Sequence, residues 1–378
     1  MKIGVVREIK DQENRVALTP ECVRELVQHG HRIRVERDAG AGSNFGNEEY
    51  IAAGAELVGA GQAWGSDLVV KVKEPLPAEY RYLQQQMVFT FFHLAGADPQ
   101  LTETLLASGT TAIAYETLED QAGRLPLLAP MSAIAGNMAS LVGAYYLQVG
   151  HGGKGVQPGI VSGKRYGEVV VIGDGIVGGH AARVAAGMGA NVRIAGLDAE
   201  KALRSDSGFG EGVEYFLSTP ENIARSVKQA DLVIGAVLLH GDKAPHVLTR
   251  AMVESMQPGS VIIDVSIDQG GSVETSRPTT HSDPVFEKYG VIHYCVTNMP
   301  GAYPRTATEA LTHATLHYVK GIADRGLDFL SVHKDLAKAV NILGGYITCQ
   351  PVAEALGLES KYKPLFECSS GNDLSTKR

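Results

Sequence analysis

Short β-branched and apolar runs alternate along the chain with longer stretches in which apolar positions recur every three to four residues. That alternation predicts parallel strands with helices packed on their faces. From Lys2 to about Tyr115 the strand candidates are Ile3 to Val6, Arg32 to Glu36, Leu68 to Lys73, Met87 to Phe91 and Thr111 to Tyr115. The first helix is bracketed by Thr19 as N-cap, Pro20 in the first turn and Gly30 after its end. Ser132 to Gln148 lacks proline and has a broad apolar face, so it reads as a long, mostly buried helix linking two domains. A glycine-rich stretch from Gly150 to Gly159 reads as a flexible loop. Beyond it a second series of strands is predicted at Glu168 to Ile172, Val192 to Ala195, Ala230 to Val237, Ser260 to Ser266 and Val291 to Val296. From about Thr306 the tail is helical in pattern, with no strands of its own, and is expected to pack back on the first domain. The fold class is therefore α/β, two Rossmann-like doubly wound domains separated by a cleft.

The chain has 378 residues, which at ~100 to 200 residues per domain allows two or three domains. Its 44 glycines follow no collagen period and cluster between apolar runs, as tight strand-to-helix turns require. A net charge of -8 supplies no basic stripe for a nucleic-acid backbone, so nucleic acid is not an expected partner. No run reaches the ~18 apolar residues that span a bilayer, and the N-terminal run lacks the form of a signal peptide. A cytoplasmic protein without membrane association is expected. Cys22, Cys295, Cys349 and Cys368 are far apart, with no metal-ligand spacing, and read as plain thiols with no metal site.

The strongest chemical signal is Gly173-Asp174-Gly175-Ile176-Val177-Gly178, set between the strand Val169 to Ile172 and a helix-like segment. A GxGxxG in that context is the dinucleotide fingerprint. Gly173 permits the turn, Gly175 lets a pyrophosphate approach the backbone, and Gly178 lets helix and strand pack closely. The second strand of such a unit usually ends in an acid that holds the adenosine ribose, yet here the position is Gly196. Asp198 points the same way but stands about 6.6 Å further along an extended chain, so it serves only if the loop curls back. No arginine follows to meet a 2′-phosphate, which favours NAD, although Lys201 keeps the choice open. Asp174 puts a carboxylate beside the pyrophosphate, where it weakens binding unless it points away.

In the first domain, Lys71 and Lys73 end one strand and His93 ends another among apolar neighbours. Ligands of open α/β sheets bind beyond the carboxyl ends of strands, where these residues fall. Singly, His93 also reads as a core histidine, Arg15 and Lys73 as solvated charges, and Asp268 and Asn298 as turn residues.

Taken together, the sequence resembles the alanine dehydrogenase and nicotinamide nucleotide transhydrogenase family over nearly its whole length. The resemblance is carried by Glu13 to Pro20, Val72-Lys73-Glu74-Pro75, Phe92-His93-Leu94-Ala95, Ile113 to Thr117, Ala129-Pro130-Met131-Ser132, Ile267 to Gly271 and Thr297-Asn298-Met299-Pro300. It implies a discontinuous substrate domain, 1–128 plus 305–378, around a dinucleotide domain, 129–304. It further implies reversible NAD-dependent deamination of L-alanine to pyruvate and ammonium in a homo-oligomer, by resemblance a hexamer. Arg15 and Lys73 match the residues that hold the substrate carboxylate and carbonyl oxygen, and His93 and Asp268 match the acid/base pair. Ser132, Ile176, Lys201, Ser218, Val237, Leu238, Ile267, Arg277, Asn298 and Met299 match the cofactor site, and Gly196 replaces the ribose-binding aspartate. The alternatives are another amino-acid or opine dehydrogenase on the same scaffold, or a transhydrogenase-like NAD(H)-binding module.

Overall fold

The structure is a computed structural model that describes residues 1–203, 208–237, 245–332 and 334–369; Leu238 lies outside the described residues. The chain forms two compact units, one of Met1–Met131 with the chain from Tyr303 onward, the other of Ser132–Ala302.

Strands of the first unit are β1 (Lys2–Val5), β2 (Arg32–Glu36), β3 (Glu56–Val58), β4 (Leu68–Val70), β5 (Met87–Thr90) and β6 (Thr111–Ala114). The second unit contributes β7 (Gly159–Val161), β8 (Lys164–Tyr166), β9 (Glu168–Ile172), β10 (Asn191–Gly196), β11 (Val213–Leu217), β12 (Leu232–Gly235), β13 (Val261–Asp264), β14 (Val285–Lys288) and β15 (Val291–Tyr294). The tail then adds β16 (Val340–Leu343) and β17 (Tyr346–Ile347) to the first unit.

The first sheet runs β17-β16-β6-β5-β4-β1-β2-β3 and the second β11-β10-β9-β12-β13-β15-β14. Within each unit the parallel strands, counted from the unit's first, take the doubly wound order 3-2-1-4-5-6. Both units are thus Rossmann-like. The apolar strands are buried on both faces: Val69, Val88 and Ala112 lie in the core of the first unit, and Val170, Val233 and Ile262 in that of the second.

The strandless tail is a correction. Val340–Leu343 pairs antiparallel with β6 and is extended by β17, so the tail widens the first sheet. Asn341 interrupts its apolar run, yet it is fully buried because its side-chain amide donates to Thr117 Oγ1 at 2.8 Å. The stretch after the long helix Ala129–Tyr146 also holds more structure than a loop, ending in the β7-β8 hairpin. The first helix is Pro20–Gln28; Thr19 Oγ1 accepts from the Cys22 amide at 3.3 Å.

Candidate active site

In the first unit the candidate side chains lie beyond the carboxyl ends of neighbouring parallel strands. Arg15 follows β1, Lys73 follows β4, His93 follows β5 and Glu116 follows β6. Arg15, Lys73 and His93 are each held, at the side chain or the backbone amide, by a carboxylate that sequence reasoning did not single out: Glu13, Glu8 and Glu116. Glu13 receives Arg15 Nε at 2.7 Å and Nη2 at 2.5 Å, a bidentate pair that orients a guanidinium only 2% exposed. The other guanidinium nitrogen, Nη1, lies 3.1 Å from Met131 Sδ.

Lys71 and Lys73 do not share a role. Lys71 Nζ is fully buried between Glu8 Oε2 at 3.0 Å and Glu79 Oε1 at 2.9 Å. Burial pushes the Glu8 carboxyl up, against the pull of Lys71, while in Lys71 its two carboxylates outweigh burial and raise the ammonium. The other oxygen of Glu8 accepts from the Val72 amide at 2.6 Å and reaches the Lys73 amide at 3.4 Å. Lys71 therefore anchors the strand end that presents Lys73, and Thr90 Oγ1 ties that end to β5 by donating to Lys73 O at 2.9 Å.

His93 has a left-handed backbone, φ 49°, where a non-glycine residue stores strain. Glu116 holds that conformation: the amides of Phe92 and His93 donate to its two carboxylate oxygens at 3.2 and 2.6 Å. The imidazole stacks on Phe91, with ring centroids 5.6 Å apart. Surrounding protein, and then the ammonium groups of Lys73 and Lys10, hold its pKa well below the ordinary histidine range. Water still reaches this exposed residue, and its imidazole is neutral at pH 7. Desolvation pushes the carboxyl of Glu116 up to about 7, opposed by the amides it accepts and by Lys73.

In the second unit the cofactor candidates again follow parallel strands. Gly173 to Gly178 follow β9, Asp198 and Lys201 follow β10, Ser218 follows β11 and Val237 follows β12. Ile267 and Asp268 follow β13, and Asn298 and Met299 follow β15. Ser132 lies in the first turn of helix Ala129–Tyr146, and the Arg277 guanidinium rests on the Phe286 ring at 4.3 Å.

The glycine turn passes a steric test for a dinucleotide. A Cβ on Gly178 would lie 1.8 Å from Gly173 O, and one on Gly173 2.4 Å from Ala236 O, whereas one on Gly175 would meet nothing within 4 Å. Helix and strand are packed to the limit, and open space lies at the helix start, beside Ile176. Gly175 caps helix Ile176–Met188 without a side chain, leaving the first-turn amides and the positive end of the helix dipole for an anion.

Asp268 is exposed at the tip of a turn built by the buried Asp264. Asp264 accepts from the amides of Ser266, Ser272 and Val273 and from Ser272 Oγ, all at 3.0 to 3.2 Å. The Asn298 amide in turn donates to Asp268 Oδ2 at 3.3 Å, from a residue with φ 60°. Ser266 Oγ donates to Val237 O at 2.8 Å, and the Ser218 amide to Gly196 O at 2.7 Å, so adjacent strand ends are laced together.

Strand order, glycine turn and uncapped helix start define the second unit as a dinucleotide-binding domain, and the first unit has the same strand order. Models of the alanine dehydrogenase/PNT N-terminal and C-terminal domains match residues 4–135 and 139–350, and the chain belongs to that family. Alanine dehydrogenase of Bacillus subtilis (strain 168) is 50% identical, the match covering 95% of this chain and 96% of the relative. Alanine dehydrogenase of Methanococcus maripaludis is 48% identical, with 94% and 96% covered. A solved structure of L-alanine dehydrogenase superposes with a TM-score of 0.90 at 47% identity, over 94% of this chain and 99% of that one. A transhydrogenase from Sinorhizobium meliloti, 23% identical with a TM-score of 0.78, shares the fold.

Proposed function

We propose that the protein is an NAD-dependent L-alanine dehydrogenase that interconverts L-alanine with pyruvate and ammonium. The observation that carries this is the trio Arg15, Lys73 and His93 at neighbouring strand ends, each fixed by its own carboxylate, in a family of alanine dehydrogenases. When bound, NAD supplies the hydride acceptor, and the glycine turn, Ser132, Asp198, Lys201, Ser218, Val237, Leu238, Ile267, Arg277, Asn298 and Met299 would hold it.

Arg15, already oriented by Glu13, binds the substrate carboxylate and fixes the position of Cα. Lys73 polarises the oxygen that becomes the ketone. His93, neutral at pH 7 and thus able to accept a proton, takes protons from the amine and from the water that adds to the imine. Asp268 stabilises the cationic amine or imine and steers that water. A cytoplasmic homo-oligomer, hexameric by the family resemblance, completes the proposal, and light scattering on the purified protein tests its size.

Crossing NAD and NADP with a panel of L-amino acids tests the proposal. Reduction of NAD by alanine well above other amino acids, with no partner protein present, supports it. Preference for another amino acid would move the protein to a different dehydrogenase, and failure of every substrate would leave a nucleotide-binding module.

A further inference from the structure

A dinucleotide-binding unit usually places its ribose acid at the end of the second strand, about 20 residues after the glycine turn. In this protein that strand, β10, ends in Gly196. We propose that Asp174, inside the glycine turn, is the ribose-binding acid here and sets the preference for NAD over NADP. This rests on the reading that residues 173 to 178 bind a dinucleotide.

The space normally filled by a side chain at the end of β10 is filled from the turn. A Cβ built on Gly196 would lie 2.6 Å from Asp174 Cγ and 2.6 Å from its Oδ2. The same Cβ would lie 2.0 Å from the Tyr215 hydroxyl. Carboxylate and phenol therefore occupy that volume together, and only glycine at 196 admits them. Tyr215 clamps the arrangement: its hydroxyl donates to Asp174 Oδ2 at 3.1 Å and accepts from the Asp198 amide at 3.1 Å. Lys201 Nζ stands 3.6 Å from the same Oδ2 and is held over the rings of Phe209 and Tyr215, at 4.0 and 4.8 Å.

Both interactions use Oδ2, so Oδ1 is the oxygen directed to the ribose hydroxyls. The side chain is 32% exposed, which leaves it within reach of a ligand. Asp198 is the rival acid, but its Oδ1 accepts from the Lys201 amide at 2.9 Å and caps the turn that follows. A carboxylate accepts hydrogen bonds from a ribose 2′-hydroxyl and repels a 2′-phosphate. Lys201 would otherwise favour that phosphate, and here it is engaged by Asp174. The carboxylate in the glycine turn thus points toward the end of β10, and the acid missing at 196 has moved rather than vanished.

The test is Asp174→Asn, which keeps the shape and removes the charge, in the full-length protein. Affinities for NAD, NADP and the NAD analogue lacking the adenosine 2′-hydroxyl are measured by equilibrium titration, beside Asp198→Asn. Wild type is expected to bind NAD roughly 10 to 100 times more tightly than the deoxy analogue, the range of a hydrogen bond to a charged group. Asp174→Asn should lose that advantage, leave the deoxy analogue's affinity unchanged and bind NADP more tightly than wild type does. A general structural defect would weaken the deoxy analogue too, and that result overturns the proposal. So does an Asp174→Asn protein that keeps the full advantage, or loss of it in Asp198→Asn alone. A wild type that binds no dinucleotide overturns the reading of the turn itself.

Discussion

Glu116→Gln isolates how the fold holds His93. In the wild type both carboxylate oxygens are engaged, by the Phe92 amide at 3.2 Å and the His93 amide at 2.6 Å. Hydrogen bonds to a charged group contribute about 1.5 to 3 kcal/mol each, against about 1 to 3 kcal/mol of strain for a residue held at positive φ. The pair of bonds is therefore enough to keep His93 at φ 49°. Glutamine keeps one acceptor and turns an NH2 toward the other backbone N–H, which costs about 1 to 3 kcal/mol. The balance that orients the imidazole is then lost, and kcat for alanine should fall about 10- to 100-fold, at ~1.4 kcal/mol per factor of ten. NAD affinity should hold.

The pH dependence adds an independent signature. The carboxyl of Glu116 is raised from an ordinary 4.5 to about 7, so the folded protein binds a proton there that the unfolded chain has released. That contribution to stability is full below 4.5 and is lost as pH rises to about 7. Glutamine has no proton to lose, so urea titrations at about pH 5 and about pH 8 should show a smaller decline in the variant. The ionised form is the one that accepts both amides, so wild-type kcat should also rise with pH near 7, and this limb should vanish in the variant. A Glu116→Gln protein with wild-type kcat and an unchanged pH profile would refute the positioning role.

Lys71→Met leaves Glu8 and Glu79 buried without their cation and should destabilise the protein by about 3 to 5 kcal/mol in urea unfolding; a loss under about 1 kcal/mol would contradict the buried triad. His93→Ala and Asp268→Asn should each abolish turnover while NAD still binds in a titration, and near-normal rates in either would remove that residue from the mechanism. Gly178→Ala puts a methyl group 1.8 Å from Gly173 O, so NAD affinity should drop at least about tenfold while the first unit keeps its fold by hydrogen exchange. Unchanged NAD affinity would show that the turn relaxes freely.

The sequence is legible where the physics is local. Continuous β-branched runs such as Val169 to Ile172 and Val261 to Ile263 announce buried parallel strands, and the Thr19-Pro20 start announces a helix. Short or interrupted strands are not announced: Glu56–Val58 spans three residues, Val213–Leu217 carries an exposed Glu214, and Val340–Leu343 contains Asn341, whose buried amide donates to Thr117 from elsewhere in the chain. The same limit separates the site residues. His93 and Asp268 can be found at strand ends, but nothing local marks Glu8, Glu116 and Asp264, which accept from the backbone amides of Val72, His93 and Ser272. Asp174 looks misplaced until Gly196 and Tyr215, distant in sequence, are seen to share its space.

The most direct measurement is the stoichiometry of the reaction with purified protein, L-alanine and NAD alone, followed in both directions. The account predicts one pyruvate, one ammonium and one NADH per alanine consumed, and alanine formation when the three products are supplied together. Tight NAD binding with no alanine-dependent reduction, or NAD reduction without pyruvate, would contradict it.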